Sequence, residues 1–220
     1  MNQRTRIKLC GLSRAEDVAV AVECGADAIG LVFYPPSPRH VTPEQAGRLL
    51  QGLPPYITAV GLFVNAGLDQ VRETIAAAPI SVLQFHGDET PEQCAGIAQA
   101  VRRPYMRALR VRPETTAGDL LEFDRLYRAS CPLFSGLLLD TWSDAYGGTG
   151  KVFDWSLIPA DIARQAVLSG GLNAQNATDA VRQLRPHAVD VSSGIEAAKG
   201  VKDAALMRAF VSAVRQADEL

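Results

Sequence analysis

Cysteine is scarce and scattered in this chain: Cys10, Cys24, Cys94 and Cys131, with no C-x-x-C pair. That spacing excludes a disulfide framework and a zinc-ribbon site, and it leaves small buried hydrophobes as the ordinary reading of all four. Histidine is rarer still, at three residues. A catalytic metal normally takes several His, Asp or Glu ligands, so no metal site is expected. Charge of one sign is not in excess either: 22 Lys and Arg stand against 24 Asp and Glu, for a net charge of −2, and no basic run occurs. A nucleic-acid partner is therefore not expected. No apolar run is long enough to span a bilayer, and the start, MNQRTRIKLCG, lacks the apolar stretch of a secretory signal. The chain reads as cytoplasmic, without a membrane partner. Finally, no G-x-G-x-x-G follows the first apolar segment, where an open dinucleotide-binding sheet would carry it.

What remains is an alternation. Short apolar runs at about 6–10, 28–33, 58–64, 81–86, 105–111, 134–140, 166–169 and 188–192 read as eight strands. Helical patterns separate them. Ser13-Arg-Ala-Glu16, Thr42-Pro-Glu-Gln45 and Thr90-Pro-Glu-Gln93 each fit a capping box, two of them with proline at the first helical position. Ala15, Val18, Ala19 and Val22 give one apolar face, which Gly25 ends. The fifth helix, somewhere within 113–127, has a weak pattern, and the sixth, near 153–159, is very short. A last helix begins near Asp203 and buries Leu206, Phe210 and Val214. Eight such units, with 47% apolar residues and no break in composition, predict an α/β fold. The expected architecture is one (β/α)8 TIM barrel over residues 1–220, with a doubly wound open sheet as runner-up.

Glycines cluster where these strands end: Gly148 and Gly150 in YGGTGK, Gly170 and Gly171 in LSGGLN, and Ser193-Gly194 in VSSGIE. Glycine at a strand end serves a tight turn, and it also lets a phosphate approach backbone N–H groups. Barrels commonly hold phosphate at the loops after strands seven and eight, beside a short extra helix. The stretch IEAAKGVK before Asp203 is long enough for that helix. Strand parity brings other chemistry to the same end of the barrel. Lys8 and Cys10 share a face, as do Gln84 with His86 and Asp190 with Ser192. Asp140 caps the apolar strand LLLD, where a solvated loop residue or a helix cap is the alternative reading. His40 and His187 have no partner that the sequence supplies.

In order and spacing, IKLCGL (7–12), SPRH (37–40), LQFHGDE (83–89), LLLDT (137–141), GGTGKVFDW (147–155), LSGGLN (168–173), VDVSSGIE (189–196) and GVKD (200–203) resemble the phosphoribosylanthranilate isomerase family of tryptophan biosynthesis. The resemblance covers nearly the whole chain. It implies an Amadori rearrangement of N-(5-phosphoribosyl)anthranilate, a phosphosugar bearing anthranilate, with no cofactor. By the family pattern Cys10 is the general base and Asp140 the general acid. Arg39 then holds the anthranilate carboxylate, and His86 and Asp190 line the pocket. Unperturbed values near ~3.9 for aspartate and ~8.5 for cysteine stand in the wrong order for those roles. Burial of Asp140 and a cation beside Cys10, for which Lys8 is the candidate, are expected to bring them together. A sister isomerase of histidine synthesis carries aspartate where Cys10 stands, a ribulose-phosphate epimerase needs metal ligands at several strand ends, and a phosphate-binding module needs neither Cys10 nor Asp140. The sequence does not set the oligomeric state; a monomer is the default and a homodimer the alternative.

Overall fold

The computed structural model describes residues 4–142 and 154–219. Eight parallel strands close into a barrel in chain order: β1 Arg6–Cys10, β2 Ala28–Val32, β3 Thr58–Phe63, β4 Val82–Phe85, β5 Tyr105–Val111, β6 Phe134–Thr141, β7 Val167–Leu168 and β8 Ala188–Val191. β1 pairs with both β2 and β8, and this removes the open sheet from consideration. Among the described residues, eight α-helices alternate with or follow these strands: α1 Ala15–Glu23, α2 Pro43–Leu49, α3 Leu68–Ala77, α4 Pro91–Val101, α5 Ala117–Ser130, α6 Ala160–Ala163, α7 Ala177–Leu184 and α8 Ala204–Asp218. Among the described residues, no helix is long and apolar enough to cross a membrane.

Strand parity sorts the side chains. Ile7, Leu9, Leu137, Leu139 and Val189 belong to the large apolar layer between strands and helices. Their alternates point inward: Ala108, Leu138, Val167 and Ala188 form a small separate apolar cluster. One pleat step further along β6 and β8, Asp140 and Asp190 follow Leu138 and Ala188 on the same inner face. The barrel interior is thus plugged with apolar groups below and polar above. That division places the chemistry at the C-terminal rim.

Local signals set the helix starts. Thr42 and Thr90 complete both halves of their capping boxes with Gln45 and Gln93, each ahead of proline. Thr116 and Asp119 make a third at α5. That helix buries only Leu120 and Tyr127 among its fourteen residues, which explains its weak periodicity. The box expected at Ser13 is absent. The N-cap of α1 falls at Arg14, without a side-chain cap, and Arg14 instead grips Asp17 through Nε and Nη2. A second correction concerns the short extra helix expected before Asp203. The chain forms a 3-10 turn at Ser193–Ile195 and then a two-stranded hairpin, β9 Glu196–Ala198 and β10 Val201–Lys202. Gly200 turns that hairpin at φ +82°, which glycine allows, and a Cβ there would stand 2.6 Å from Pro38 O.

Candidate active site

The inward residues at the strand ends enclose one pocket, and Cys10, Arg39, His86, Asp140, Gly170, Gly171, Asp190 and Ser193 all line it. Cys10 closes β1, Asp140 stands near the end of β6, and Asp190 lies on β8. Arg39 reaches in from the loop after β2, and His86 directly follows β4. Gly194 is not a lining residue; it packs so closely on the loop after β7 that a Cβ would meet Leu172 O at 1.9 Å. Gly148 and Gly150 lie outside the described residues. His40 and His187 do not line the pocket.

Cys10 sits over a buried pair. Lys8 Nζ donates to Asp190 Oδ1 at 2.8 Å, and Ser169 Oγ donates to Asp190 Oδ2 at 3.2 Å. Burial is the largest influence on the Cys10 thiol and pushes it up. Lys8 pulls it down, Asp190 pushes it further up, Lys202 helps Lys8, and the thiol ends above the ordinary cysteine value. The expectation that a neighbouring cation brings Cys10 down is therefore corrected: Lys8 acts in the stated direction, but desolvation outweighs it. Lys8 itself is raised. Its burial works against the charge, and Asp190 and Cys10 more than offset that. Room for this arrangement comes from Gly30 on β2, where a Cβ would lie 2.6 Å from Cys10 Sγ and 3.1 Å from Lys8 Cε.

Across the pocket, Asp140 Oδ1 accepts from the Thr141 backbone N–H at 2.9 Å. His86 Nε2 lies 3.1 Å from Asp140 Oδ2, and Gln84 Nε2 lies 3.0 Å from His86 Nδ1. Gly170, at φ +82°, crosses close enough that a Cβ would stand 2.4 Å from Thr141 N and 2.9 Å from Asp140 Oδ1.

The rim holds a third group that the sequence reading did not assemble. Arg39 donates from Nε and Nη2 to the two oxygens of Glu196, at 2.6 and 2.9 Å. Lys202 Nζ donates to Glu196 Oε1 at 2.8 Å and to Ser192 O at 2.9 Å. Burial pushes the Glu196 carboxyl up, but hydrogen bonds from Arg39 and Lys202 outweigh it and hold the group below the usual carboxylate range. The hairpin β9–β10 is what brings Glu196 and Lys202 to Arg39. Its only sequence trace was the pair of motifs VDVSSGIE and GVKD, which share no helical or strand period with SPRH.

A fourth buried cation braces the site from outside. Arg107, on the helix-facing side of β5, donates to Phe85 O, Gly87 O and the Tyr127 hydroxyl. The two carbonyls flank His86, so this guanidinium holds the backbone on either side of it. Among the described residues, no cluster of three or more His, Cys, Asp or Glu side chains is placed to hold a metal ion. The chemistry that such a pocket offers is proton transfer between a thiol and a carboxyl on opposite walls.

Comparison with known proteins agrees in sequence and in fold. Residues 7–213 match the family described as N-(5'phosphoribosyl)anthranilate (PRA) isomerase. The N-(5'-phosphoribosyl)anthranilate isomerase of Herminiimonas arsenicoxydans is 62% identical over 218 residues, covering 99% of this chain and 96% of that one. The enzyme of the same name from Pseudomonas paraeruginosa is 52% identical, covering 96% and 95%. Among solved structures, the phosphoribosyl anthranilate isomerase of Thermotoga maritima superposes with a TM-score of 0.85 at 41% identity, covering 96% and 99%. Another such isomerase, solved in complex with reduced 1-(o-carboxyphenylamino)-1-deoxyribulose 5-phosphate, gives 0.82 at 38% identity over the same shares. The chain belongs to the N-(5'-phosphoribosyl)anthranilate isomerase family.

Proposed function

We propose that this isomerase converts N-(5-phosphoribosyl)anthranilate to 1-(2-carboxyphenylamino)-1-deoxyribulose 5-phosphate, a step of tryptophan biosynthesis, with Asp140 as general acid and Cys10 as general base. The observation that carries the assignment is the facing of Cys10 from β1 and Asp140 from β6 into one pocket. Asp140 gives a proton to the furanose ring oxygen as the C1′–O bond breaks, and the nitrogen lone pair forms the Schiff base. Cys10 then takes the proton from C2′, and the electron pair moves to give the enolamine. Tautomerisation of the enolamine yields the ketone. The oxidation at C2′ balances the reduction at C1′ inside one molecule, so protons alone are exchanged and no cofactor is called for.

The pocket's edges fit the two ends of that substrate. Arg39 is fixed through one edge of its guanidinium by Glu196. Its remaining N–H groups suit a planar carboxylate such as that of anthranilate. At the other end, Gly170 and Gly171 take positive φ values of +82° and +67°, and Ser193 opens a 3-10 turn beside them. Backbone N–H groups exposed by such turns suit a phosphate.

The test is the decay of anthranilate fluorescence with freshly generated phosphoribosylanthranilate. Decay far above spontaneous breakdown is expected for the wild type, with losses of about 10²–10⁴ in kcat for Cys10→Ser and Asp140→Asn. Full activity in either variant would overturn that residue's assignment, and no wild-type acceleration would overturn the substrate.

A further inference from the structure

We propose that Gln84 is a positioning residue that fixes the tautomer of His86, and through it the hydrogen bond that His86 gives to Asp140. The catalytic consequence rests on Asp140 being the acid; the tautomer does not.

The three side chains form a line across the barrel. Gln84 and His86 sit two residues apart on the inner face at the end of β4, and both line the pocket. Gln84 is fully buried. Its Nε2 stands 3.0 Å from His86 Nδ1, and His86 Nε2 stands 3.1 Å from Asp140 Oδ2. A neutral imidazole donates from one nitrogen and accepts at the other, so the partner at Nδ1 decides what Nε2 does. With the amide nitrogen toward the ring, Nδ1 accepts and Nε2–H donates to Asp140.

One observation selects that orientation of the amide. Gln84 Oε1 is buried without a hydrogen-bond partner among the described residues. Turning the amide would satisfy Oε1 and leave the NH2 group stranded in its place. An open buried carbonyl is better tolerated than an orphaned buried N–H donor, so the nitrogen faces His86. The other end of the line fits that orientation: Asp140 Oδ1 accepts from Thr141 N–H at 2.9 Å, and Oδ2 lies within reach of an N–H at His86 Nε2.

Donation therefore runs one way, from Gln84 to His86 to Asp140. Once Asp140 has given its proton to the substrate, two N–H groups already aimed at it receive the carboxylate. No proton passes through the ring; it stays on Nε2 throughout.

The experiment is 15N NMR of enzyme labelled at histidine, recorded without substrate at about pH 8, where an imidazole is ordinarily neutral. With three histidines in the chain, His86 is assigned by the resonances lost in His86→Asn. Wild type is expected to show an unprotonated Nδ1 and a protonated Nε2. Gln84→Met keeps the volume but has no donor, and it is expected to shift His86 toward the Nδ1–H form. In the same variant kcat falls about tenfold while KM stays within about twofold. A wild-type His86 protonated at Nδ1, or a tautomer unmoved in Gln84→Met, would overturn the proposal. The wild-type tautomer is read without turnover, and His86→Asn serves only to assign it. Retained activity in Asp140→Asn would instead remove the acid assignment and leave the tautomer standing.

Discussion

Lys8 Nζ and Asp190 Oδ1 meet at 2.8 Å with both side chains almost wholly buried, and the two residues are register partners across the β1–β8 junction that closes the barrel. Asp190 thus offsets part of the pull that Lys8 exerts on Cys10. Removing one partner of a buried pair leaves the other charged and unsolvated. Lys8→Met is therefore expected to cost about 3–5 kcal/mol in urea unfolding, and Lys8→Met with Asp190→Leu much less. Equal losses in the single and double variants would show that the pair does not act as a unit.

Cys10 offers a readout of its own environment. Burial raises the thiol, so the thiolate is a minor species at neutral pH and grows as pH rises. Alkylation by iodoacetamide, followed by mass spectrometry at Cys10, should climb about tenfold per pH unit through and beyond the free-cysteine value of ~8.5. A plateau well below pH 8 would contradict the direction.

The rim pair is legible in stability. Glu196 has a folded-state value below the ordinary one. Its contribution is therefore complete above ~4.3, the unfolded value, and is lost as pH falls through the lower folded value. Glu196→Gln should flatten that acid limb in thermal melts. It should also raise KM through the loosened Arg39 more than it lowers kcat. An acid limb identical to wild type would show that the carboxylate is not held as described.

Two glycines are tested by one methyl group each. Gly170→Ala strains a positive φ and drives a Cβ into Thr141 N, next to Asp140. A loss of about 1–3 kcal/mol together with a fall in kcat is expected. Gly30→Ala presses on Cys10 Sγ instead, and it should slow Cys10 alkylation as well as turnover. Activity within twofold of wild type in both would mean that the backbone yields more readily than the contacts suggest.

Much of this architecture was legible in the sequence because it is local. All eight strands stand where the apolar runs put them, and the boxes at Thr42 and Thr90 form as their spacing requires. Ser13 misled because a capping box needs the chain to enter the helix at that residue. Here Arg14 is held by Asp17 and by Lys202 O, which moves the start by one position. Cys10, Asp140 and His86 could be placed at strand ends because strands and their parity are read in one dimension, while the roles of Cys10 and Asp140 came from the family resemblance. The Arg39–Glu196–Lys202 group and the Arg107 brace could not be, since their partners are set by a hairpin and by neighbouring elements across the barrel. Nor could the direction of the Cys10 shift, which depends on how deeply the thiol is buried relative to the charges beside it.

The closing seam has a consequence for how the enzyme comes into being. Cys10 arrives with the first strand of the barrel, Asp140 with the sixth, and Asp190 with the eighth. Thr5, just ahead of β1, bonds through its N–H and hydroxyl to Asp218 at the end of α8. A nascent chain still missing its eighth strand has no floor under the thiol and nothing to neutralise Lys8. The pocket is therefore complete only when the two ends of the chain have met across the β1–β8 seam.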